Sequence, residues 1–263
     1  MHPILWTFTF GERAWPLGSY GVALVLAVAS AALLFVRLGR GLGVGPAASF
    51  EGAVVQIGGG LVGAKALGVL VALFAGQSLG SWRAAGVVHG GIFGGIAASV
   101  WLSRRMGLGN LRVLDWCGAP VALGQGVGRL GCFLAGCCYG RPDDGPWSIV
   151  FTSERAHAIA HTPLHVPLFP VQLVDGAAHL LLALVLASPP LRVGQRRPGI
   201  TLFAWLFAEG VLRFVIESFR GDLERGTWGF WSTGRITATL LMAVGLLGLA
   251  ALARATPGGS SGA

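Results

Sequence analysis

LGSYGVALVLAVASAALLFV, residues 17–36, contains no charged side chain and decides the fold class. A stretch of roughly 20 apolar residues is long enough to cross a lipid bilayer as an α-helix. The whole chain has the same character, since 54% of its 263 residues are hydrophobic and 11% are charged. That is about half the charged share of a soluble domain. We therefore predict an all-α polytopic membrane protein.

Six further apolar segments follow the first, and together they predict about seven transmembrane helices. None of them alternates apolar and polar residues, which argues against a transmembrane β-barrel. We expect a single integral membrane domain over residues 1–253 and a disordered tail over 254–263. The six further segments cover residues 52–75, 86–102, 113–133, 171–187, 199–217 and 232–252.

The charges between these segments predict the orientation of the chain. Residues 37–49, 103–112, 188–198 and the tail after 253 contain nine arginines and no acidic residue. Arginine-rich connections stay in the cytoplasm, so the N-terminus is expected outside, the C-terminus in the cytoplasm, and residues 138–170 in a small external lobe. The acidic residues of the opposite set are Glu12, Asp143, Asp144, Glu154, Asp222 and Glu224.

The formal net charge of +8 does not indicate a nucleic-acid-binding protein. Basic residues stand at the ends of apolar segments, where membrane topology accounts for them. No basic cluster alternates with aromatic residues in a polar domain, so no nucleic acid partner is expected. Residues 1–15, MHPILWTFTFGERAW, also lack the pattern of a cleaved signal peptide.

Ionisable side chains lie inside or at the ends of the apolar segments, on the predicted outer side. Such a group costs several kcal/mol in lipid unless it is paired or hydrated, so the set predicts a polar cavity open to the outer leaflet. Its arginines suit phosphate, and a phospholipid head group is the simplest anion at this depth. Separate arginines that snorkel to the interface are the alternative. The set is Tyr20, His89, Arg129, Arg213, Glu217, Arg220 and Arg235.

Two local patterns accompany these groups. The spacing of Arg213, Glu217 and Arg220 puts them on one helical face, where Glu217 can hold an arginine in place. The glycines of HGGIFGG at 89–95 and GQGVGRLG at 124–131 are numerous for a helix. They predict close helix packing or an approach of the backbone to a ligand.

Six motifs follow one another along the chain, and their order and spacing are more specific than any one of them. They are SYG at 19–21, HGG at 89–91, VLDWCGAPVALGQGVGRLGCF at 113–133, FPVQL at 169–173, EGVLRFVIESFR at 209–220 and STGR at 232–235. Together they resemble the prolipoprotein diacylglyceryl transferase family. The resemblance extends from about Ser19 to Arg235, nearly the whole chain.

The resemblance implies an enzyme of the bacterial cytoplasmic (inner) membrane, multi-pass, with its active site facing the outer leaflet. It would move a diacylglyceryl group from phosphatidylglycerol to the lipobox cysteine thiol of a preprolipoprotein signal peptide, with release of glycerol phosphate. The implied reaction requires no metal or organic cofactor. A histidine can take the proton of the thiol, and arginines can stabilise the leaving phosphate.

The same resemblance implies roles for individual residues. Arg129 and Arg213 would bind the phosphate, and His89 would act near the reacting centre as a base or an orienting group. Tyr20 would line the cavity, and Glu217 with Arg220 would complete the network. Further substrate-binding positions would be Arg235, Gln172 and Cys137.

The chain departs from the family signature GRxGNFxNGE, where it has GRLGCFLAGC. The two asparagines and the acid of that signature are replaced by Cys132, Ala135 and Cys137, and Cys138 follows. Further departures are Lys65 for an arginine, Asp175 for a glutamate and Arg235 for a glutamine.

Three interpretations of these cysteines stay open. They pack as small apolar side chains, they form a disulfide, or Cys137 is a thiolate activated by Arg129. Zinc is the least favoured because the segment has no well-spaced histidine. Two alternatives for function follow: a divergent phospholipid head-group transferase or lipase on the same scaffold, and a non-catalytic lipid-binding or transport protein.

Three histidines in residues 138–170 have a spacing of four, namely His157, His161 and His165. On one helical face they could bind zinc, but Pro163 interrupts such a helix. A solvated loop is the favoured interpretation.

Overall fold

The computed structural model of the chain is mostly helical, as predicted. It describes residues 3–11, 13–74, 88–189, 191, 197–222, 227–228 and 231–255. The helices are α1 Ser19–Gly39, α2 Pro46–Phe74, α3 Val88–Met106, α4 Asn110–Ala135, α5 Glu154–Ala160, α6 Val171–Ala187, α7 Ile200–Glu217 and α8 Thr233–Arg254. The strands are β1 Ile4–Phe10, β2 Arg13–Gly18, β3 Ile149–Val150, β4 Pro167–Leu168, β5 Thr227–Trp228 and β6 Trp231–Ser232.

Each of the seven apolar segments falls on a long helix, from α1 to α4 and from α6 to α8. Among the described residues, three stretches are long and apolar enough to cross a membrane: Ser19–Leu42, Pro46–Phe74 and Thr233–Arg254. Their outward side chains are apolar and exposed, as in Val62 at 70% and Leu247 at 69%. Such faces suit lipid, whereas soluble proteins rarely expose large apolar patches. Helix α8 continues to Arg254, the first residue of the predicted tail, and residues 256–263 lie outside the described part.

Helix α4 is the central element and packs against α1, α3, α6 and α7. Trp116, in the first half of α4, is completely buried and stacks on Phe35 of α1, with ring centroids 3.9 Å apart. The indole Nε1 donates a hydrogen bond of 2.6 Å to the Phe35 carbonyl oxygen. This contact satisfies the one polar atom of a large buried aromatic side chain.

Asp115, next to Trp116 in α4, fixes the start of α7. Its Oδ2 accepts from the Gly199 backbone N–H at 2.7 Å, and its Oδ1 accepts from that of Leu202 at 2.7 Å. The first backbone N–H groups of a helix lack partners within the helix and carry a partial positive charge. The carboxylate therefore acts as a helix cap supplied by a neighbouring helix, and it sets the height of α7 against α4.

Helices α2 and α3 approach each other closely through glycines. A Cβ atom on Gly63 would lie 2.2 Å from the carbonyl oxygen of Gly90, and one on Gly94 would lie 2.1 Å from that of Gly59. Only glycine permits this separation of two helical backbones. The glycines of the HGG stretch thus serve helix packing, which is one of the two roles predicted for them.

Residues 138–170 form a folded connection rather than a simple loop. Strand β3 pairs with β4, and α5 lies between them. Phe151, next to β3, and Leu168, in β4, are both buried. Helix α5 ends before His161, which has φ 52°, so His157 and His161 do not share a helical face. The three histidines are exposed, as the solvated interpretation predicted, but the segment has regular structure and is not a simple loop. The histidine pattern is not that of a helical zinc site.

Strands β1 and β2 form an antiparallel hairpin at the N-terminal side of α1, which the sequence analysis did not predict. Its exposed aromatic side chains include Trp6 at 65% and Trp15 at 59%. Exposed tryptophans are enriched where proteins meet the interface of a membrane.

Candidate active site

A buried chain of polar side chains joins α4, α6 and α7 and begins at Arg129. The Nε atom of Arg129 lies 2.6 Å from Oδ2 of Asp175, and Oδ1 of Asp175 lies 2.9 Å from Nδ1 of His179. The Nε2 atom of His179 lies 3.0 Å from Oε2 of Glu209, and Gln125 donates to Oε1 of Glu209 at 3.2 Å. Each ionisable member of this network is paired, which is the condition for tolerating such groups inside a helix bundle. Among the described residues, Oε1 of Gln125 is buried without a hydrogen-bond partner.

The contact with Asp175 leaves the outer end of the Arg129 guanidinium available. In the described part of the chain, the pairing uses Nε, and no protein partner bonds to the two Nη groups. The side chain is 21% exposed, against 5% for Asp175. Two parallel N–H donors are thus held in a fixed direction, and this fork matches two oxygen atoms of a phosphate.

Arg213 is held in a similar way on the next helix. Its Nη2 lies 3.2 Å from Oε2 of Glu217, one turn further along α7, as the spacing predicted. Glu217 also accepts a hydrogen bond of 2.7 Å from the Ser232 hydroxyl, just before α8. Arg213 is close enough to Asp175 to interact with it electrostatically. Two arginines on different helices therefore share one carboxylate as a neighbour.

The other two arginines of the predicted set are used differently. Arg220 makes a bidentate pair with Asp222, with distances of 2.8 and 2.6 Å, and its side chain is 4% exposed. Arg235 donates from Nη2 to the Ser218 hydroxyl at 3.1 Å. The predicted set contained four arginines and one acid, Glu217, and the structure adds Asp175 and Asp222 to the group.

Tyr20 and three cysteines lie near Arg129. Tyr20 packs beside Gly131, where an added Cβ would lie 3.5 Å from its ring. The sulfur atoms of Cys132, Cys137 and Cys138 all lie within 4.8 Å of one another, and all are free thiols. Hydrogen bonds from the Cys132 and Cys137 thiols lower the pKa of Cys138, and the Arg220 guanidinium lowers it further. The structure therefore contains no disulfide among these three cysteines, in contrast to the disulfide interpretation.

Two predicted site residues remain. Gln172 is 1% exposed, and its amide donates to the Cys137 carbonyl oxygen at 3.0 Å, so it positions the cysteine segment. His89 belongs to the first turn of α3, and its side chain lies outside the described residues.

The family model described as prolipoprotein diacylglyceryl transferase matches residues 7–251. The chain belongs to the prolipoprotein diacylglyceryl transferase family.

Curated relatives named phosphatidylglycerol–prolipoprotein diacylglyceryl transferase match the chain, two of them over most of its length. A phosphatidylglycerol–prolipoprotein diacylglyceryl transferase of Clostridium tetani is 30% identical over 94% of this chain and 96% of its own length. A second, from Clostridium perfringens, is 29% identical over 87% of this chain and 88% of its own length. One from Geobacter sulfurreducens is 32% identical over 63% of this chain and 60% of its own. The resemblance drawn from the six motifs is thereby confirmed.

The sequence analysis did not identify three residues of the buried network, namely His179, Glu209 and Gln125. A signal for two of them was present, because His179 and Glu209 are ionisable groups inside apolar segments. His179 also follows Asp175 by four residues, the spacing of neighbours on a helix. The side chain of Gln125 gave no such signal, since its partner lies on a distant helix.

Proposed function

We propose that the chain transfers a diacylglyceryl group from phosphatidylglycerol to the cysteine thiol of a preprolipoprotein lipobox. The thiolate sulfur forms a bond to the terminal glyceryl carbon, and the carbon–oxygen bond to phosphate breaks. Glycerol phosphate leaves with the bonding electron pair, and the thiol proton passes to a base. The observation that carries this proposal is the guanidinium of Arg129, fixed by Asp175 through Nε with its outer fork unpaired within the described residues.

The phosphate of the donor lipid is assigned to Arg129, with Arg213 as its second contact. The negative charge on the leaving oxygen grows in the transition state, and fixed cations stabilise it without a cost of reorganisation. Asp175 and Glu217 hold the two guanidinium groups in place before the lipid arrives. Because the arginines are already ordered, little free energy is lost in ordering them when the lipid binds.

His89 is assigned the proton of the incoming thiol, as base or as orienting group, because an imidazole titrates near neutral pH. His179 is not available for this task. Both of its ring nitrogens are engaged, by Asp175 and by Glu209, and it is 4% exposed. Its role in the proposal is to position Asp175 and, through it, Arg129.

The orientation completes the proposal. Seven helices cross the membrane, the N-terminus lies outside, and the site opens to the outer leaflet, where phosphatidylglycerol and the signal peptide meet. The arginines between the apolar segments support this arrangement. Reporter fusions within residues 138–170 and after Arg254 test it, since they are expected on opposite sides of the membrane.

The direct test is incubation of the purified protein with phosphatidylglycerol and a lipobox peptide, followed by mass spectrometry. The peptide is expected to gain a diacylglyceryl group, and His89→Ala and Arg129→Ala are expected to lose this activity while still inserting into membranes. Arg129→Lys keeps the charge but lacks the fork, so it should also be impaired. Arg105→Ala is the matched control, because this arginine is exposed and its partner Glu51 lies 3.7 Å away.

Three outcomes separate the candidate functions. Lipid cleavage with an unchanged peptide mass favours the head-group transferase or lipase. Lipid binding without cleavage favours the non-catalytic protein. Full activity of both the His89 and Arg129 variants contradicts both enzyme hypotheses.

A further inference from the structure

Three cysteine sulfur atoms converge at the end of α4, although the residues are not evenly spaced in the sequence. Helix α4 ends at Ala135, the next residue, Gly136, has φ 82°, and Cys138 also has a left-handed backbone with φ 57°. The chain therefore reverses direction and brings Cys137 and Cys138 back to Cys132. All three Sγ atoms lie within 4.8 Å of one another.

Contacts from other parts of the fold hold this turn. The Gly136 carbonyl oxygen accepts from the Thr162 hydroxyl at 2.7 Å, and the Cys137 carbonyl oxygen accepts from Gln172 at 3.0 Å. A Cβ on Gly136 would lie 2.7 Å from that of Ala156. The thiols are therefore placed together by surrounding structure, as preorganised metal ligands are.

The separation of the thiols fits a small thiophilic cation. Zinc–sulfur bonds of about 2.3 Å in a tetrahedron put sulfur atoms roughly 3.8 Å apart, so small rotations of the side chains would close the site. Thiolates also select zinc over calcium or magnesium, which prefer oxygen. The sequence analysis disfavoured zinc because no histidine was suitably spaced. In the structure a third cysteine takes the place of that histidine as a ligand.

The charges around the thiols also fit. Three thiolates and one divalent ion leave one negative charge, and Arg220 contacts Cys138 while Arg129 lies near Cys132. Cationic groups that hydrogen bond to ligand sulfur atoms stabilise such centres. The alternative is that one of these cysteines attacks the lipid and forms a thioether intermediate. Metal binding suits the thiols better, because a thiolate leaves saturated carbon far less readily than a phosphate does.

We propose that Cys132, Cys137 and Cys138 bind one Zn²⁺ ion, and that its fourth ligand is the thiol of the acceptor peptide. Three protein ligands leave one position of a tetrahedral ion open, as in catalytic zinc sites. The second part of the proposal rests on the proposed function, since only a thiol acceptor would fill that position with sulfur. The thiol binds as thiolate, and its proton passes to the base of the proposed function, His89.

The test uses the full chain, purified in detergent and reduced, with Zn²⁺ and Co²⁺ as probes. One equivalent of zinc is expected by elemental analysis, and Co²⁺ should give a thiolate-to-metal charge-transfer band in the near ultraviolet. Cys132→Ser, Cys137→Ser and Cys138→Ser should each lose the band. Cys117→Ser is the matched control, because Cys117 lies in the first half of α4, away from the cluster, and donates to the Val113 carbonyl oxygen at 3.3 Å.

A measurement on the unaltered protein guards against misfolded variants. Zinc should protect three of the four cysteines from alkylation. Equal alkylation of all four cysteines with excess zinc, or a disulfide among the three in the protein as isolated, would overturn the metal site.

The second part has its own readout. A lipobox peptide should strengthen the charge-transfer band, and the same peptide with serine for cysteine should not. A band that the cysteine peptide leaves unchanged refutes the thiol ligand and leaves the metal site standing. A protein that binds zinc but transfers no lipid contradicts the proposed function and not the metal site.

Discussion

Asp175→Asn is the substitution that most sharply tests the buried network, because it changes charge with almost no change in shape. The carboxylate lies 2.6 Å from Nε of Arg129 and 2.9 Å from Nδ1 of His179. An asparagine can still accept from His179 through its oxygen. Its amide nitrogen then faces Arg129, so two donors meet where a donor met an acceptor.

The magnitude follows from distance and burial. Two unit charges 2.6 Å apart attract by about 6 kcal/mol at an effective dielectric constant near 20. Desolvation of both groups offsets much of this attraction, and removal of one partner of a buried pair costs about 3–5 kcal/mol. Arg129 is 21% exposed and Asp175 is 5% exposed, so the arginine regains some hydration. We expect a loss near the lower end, about 3 kcal/mol, or roughly 150-fold in the folding equilibrium.

The assay is an unfolding titration in mixed micelles, together with the peptide-transfer assay. The matched control is Glu51→Gln, because the Glu51–Arg105 pair is 3.7 Å apart with side chains 48% and 62% exposed. Such a pair contributes about 1 kcal/mol or less. Transfer by the Asp175 variant should fall by about 100-fold, since Arg129 loses its direction. A variant with unchanged unfolding and unchanged transfer would refute the idea that Asp175 holds the arginine.

Three other substitutions test the packing with the same titration. Gly63→Ala should destabilise by about 1–3 kcal/mol, because its Cβ would lie 2.2 Å from the Gly90 carbonyl oxygen; Gly58→Ala, with open space around it, is the control, and equal effects of the two would contradict the close approach. Ser232→Ala should cost about 1–2 kcal/mol, since the hydroxyl caps α8, and an unchanged midpoint would remove the cap from the argument. Trp116→Phe should cost about 1–3 kcal/mol through the lost 2.6 Å hydrogen bond, and a smaller effect would show that water replaces the indole.

The helices could be predicted from the sequence because a long apolar run has few structures open to it. Residues 17–36 fall on a helix that runs from Ser19 to Gly39. Helix α7 carries three charged residues, Glu209, Arg213 and Glu217, which face partners within the bundle. The connection 138–170 could not be predicted in the same way. Its order comes from contacts with distant segments, such as the hydrogen bond from Thr162 to Gly136.

The candidate site divides along the same line. Arg129 and Arg213 stand out because a charge inside an apolar segment is costly, and this signal is local. Which carboxylate each arginine meets is not local. Asp175 lies on another helix, and the sequence gives no measure of the 2.6 Å that separates it from Arg129. The set predicted from the sequence therefore contained too few carboxylates for its arginines.

The pairing itself distinguishes the arginines in a way that their spacing does not. Arg220 uses Nε and Nη2 on both oxygens of Asp222, which is the geometry that a phosphate would otherwise occupy. It therefore braces the segment after α7 and lies beside Cys138. Arg129 engages its carboxylate through Nε, which leaves the outer pair of donors pointing away from Asp175. A carboxylate that takes one donor through Nε orients the guanidinium and leaves both Nη groups for a lipid phosphate, whereas a carboxylate that takes two donors of a buried guanidinium leaves fewer of them accessible.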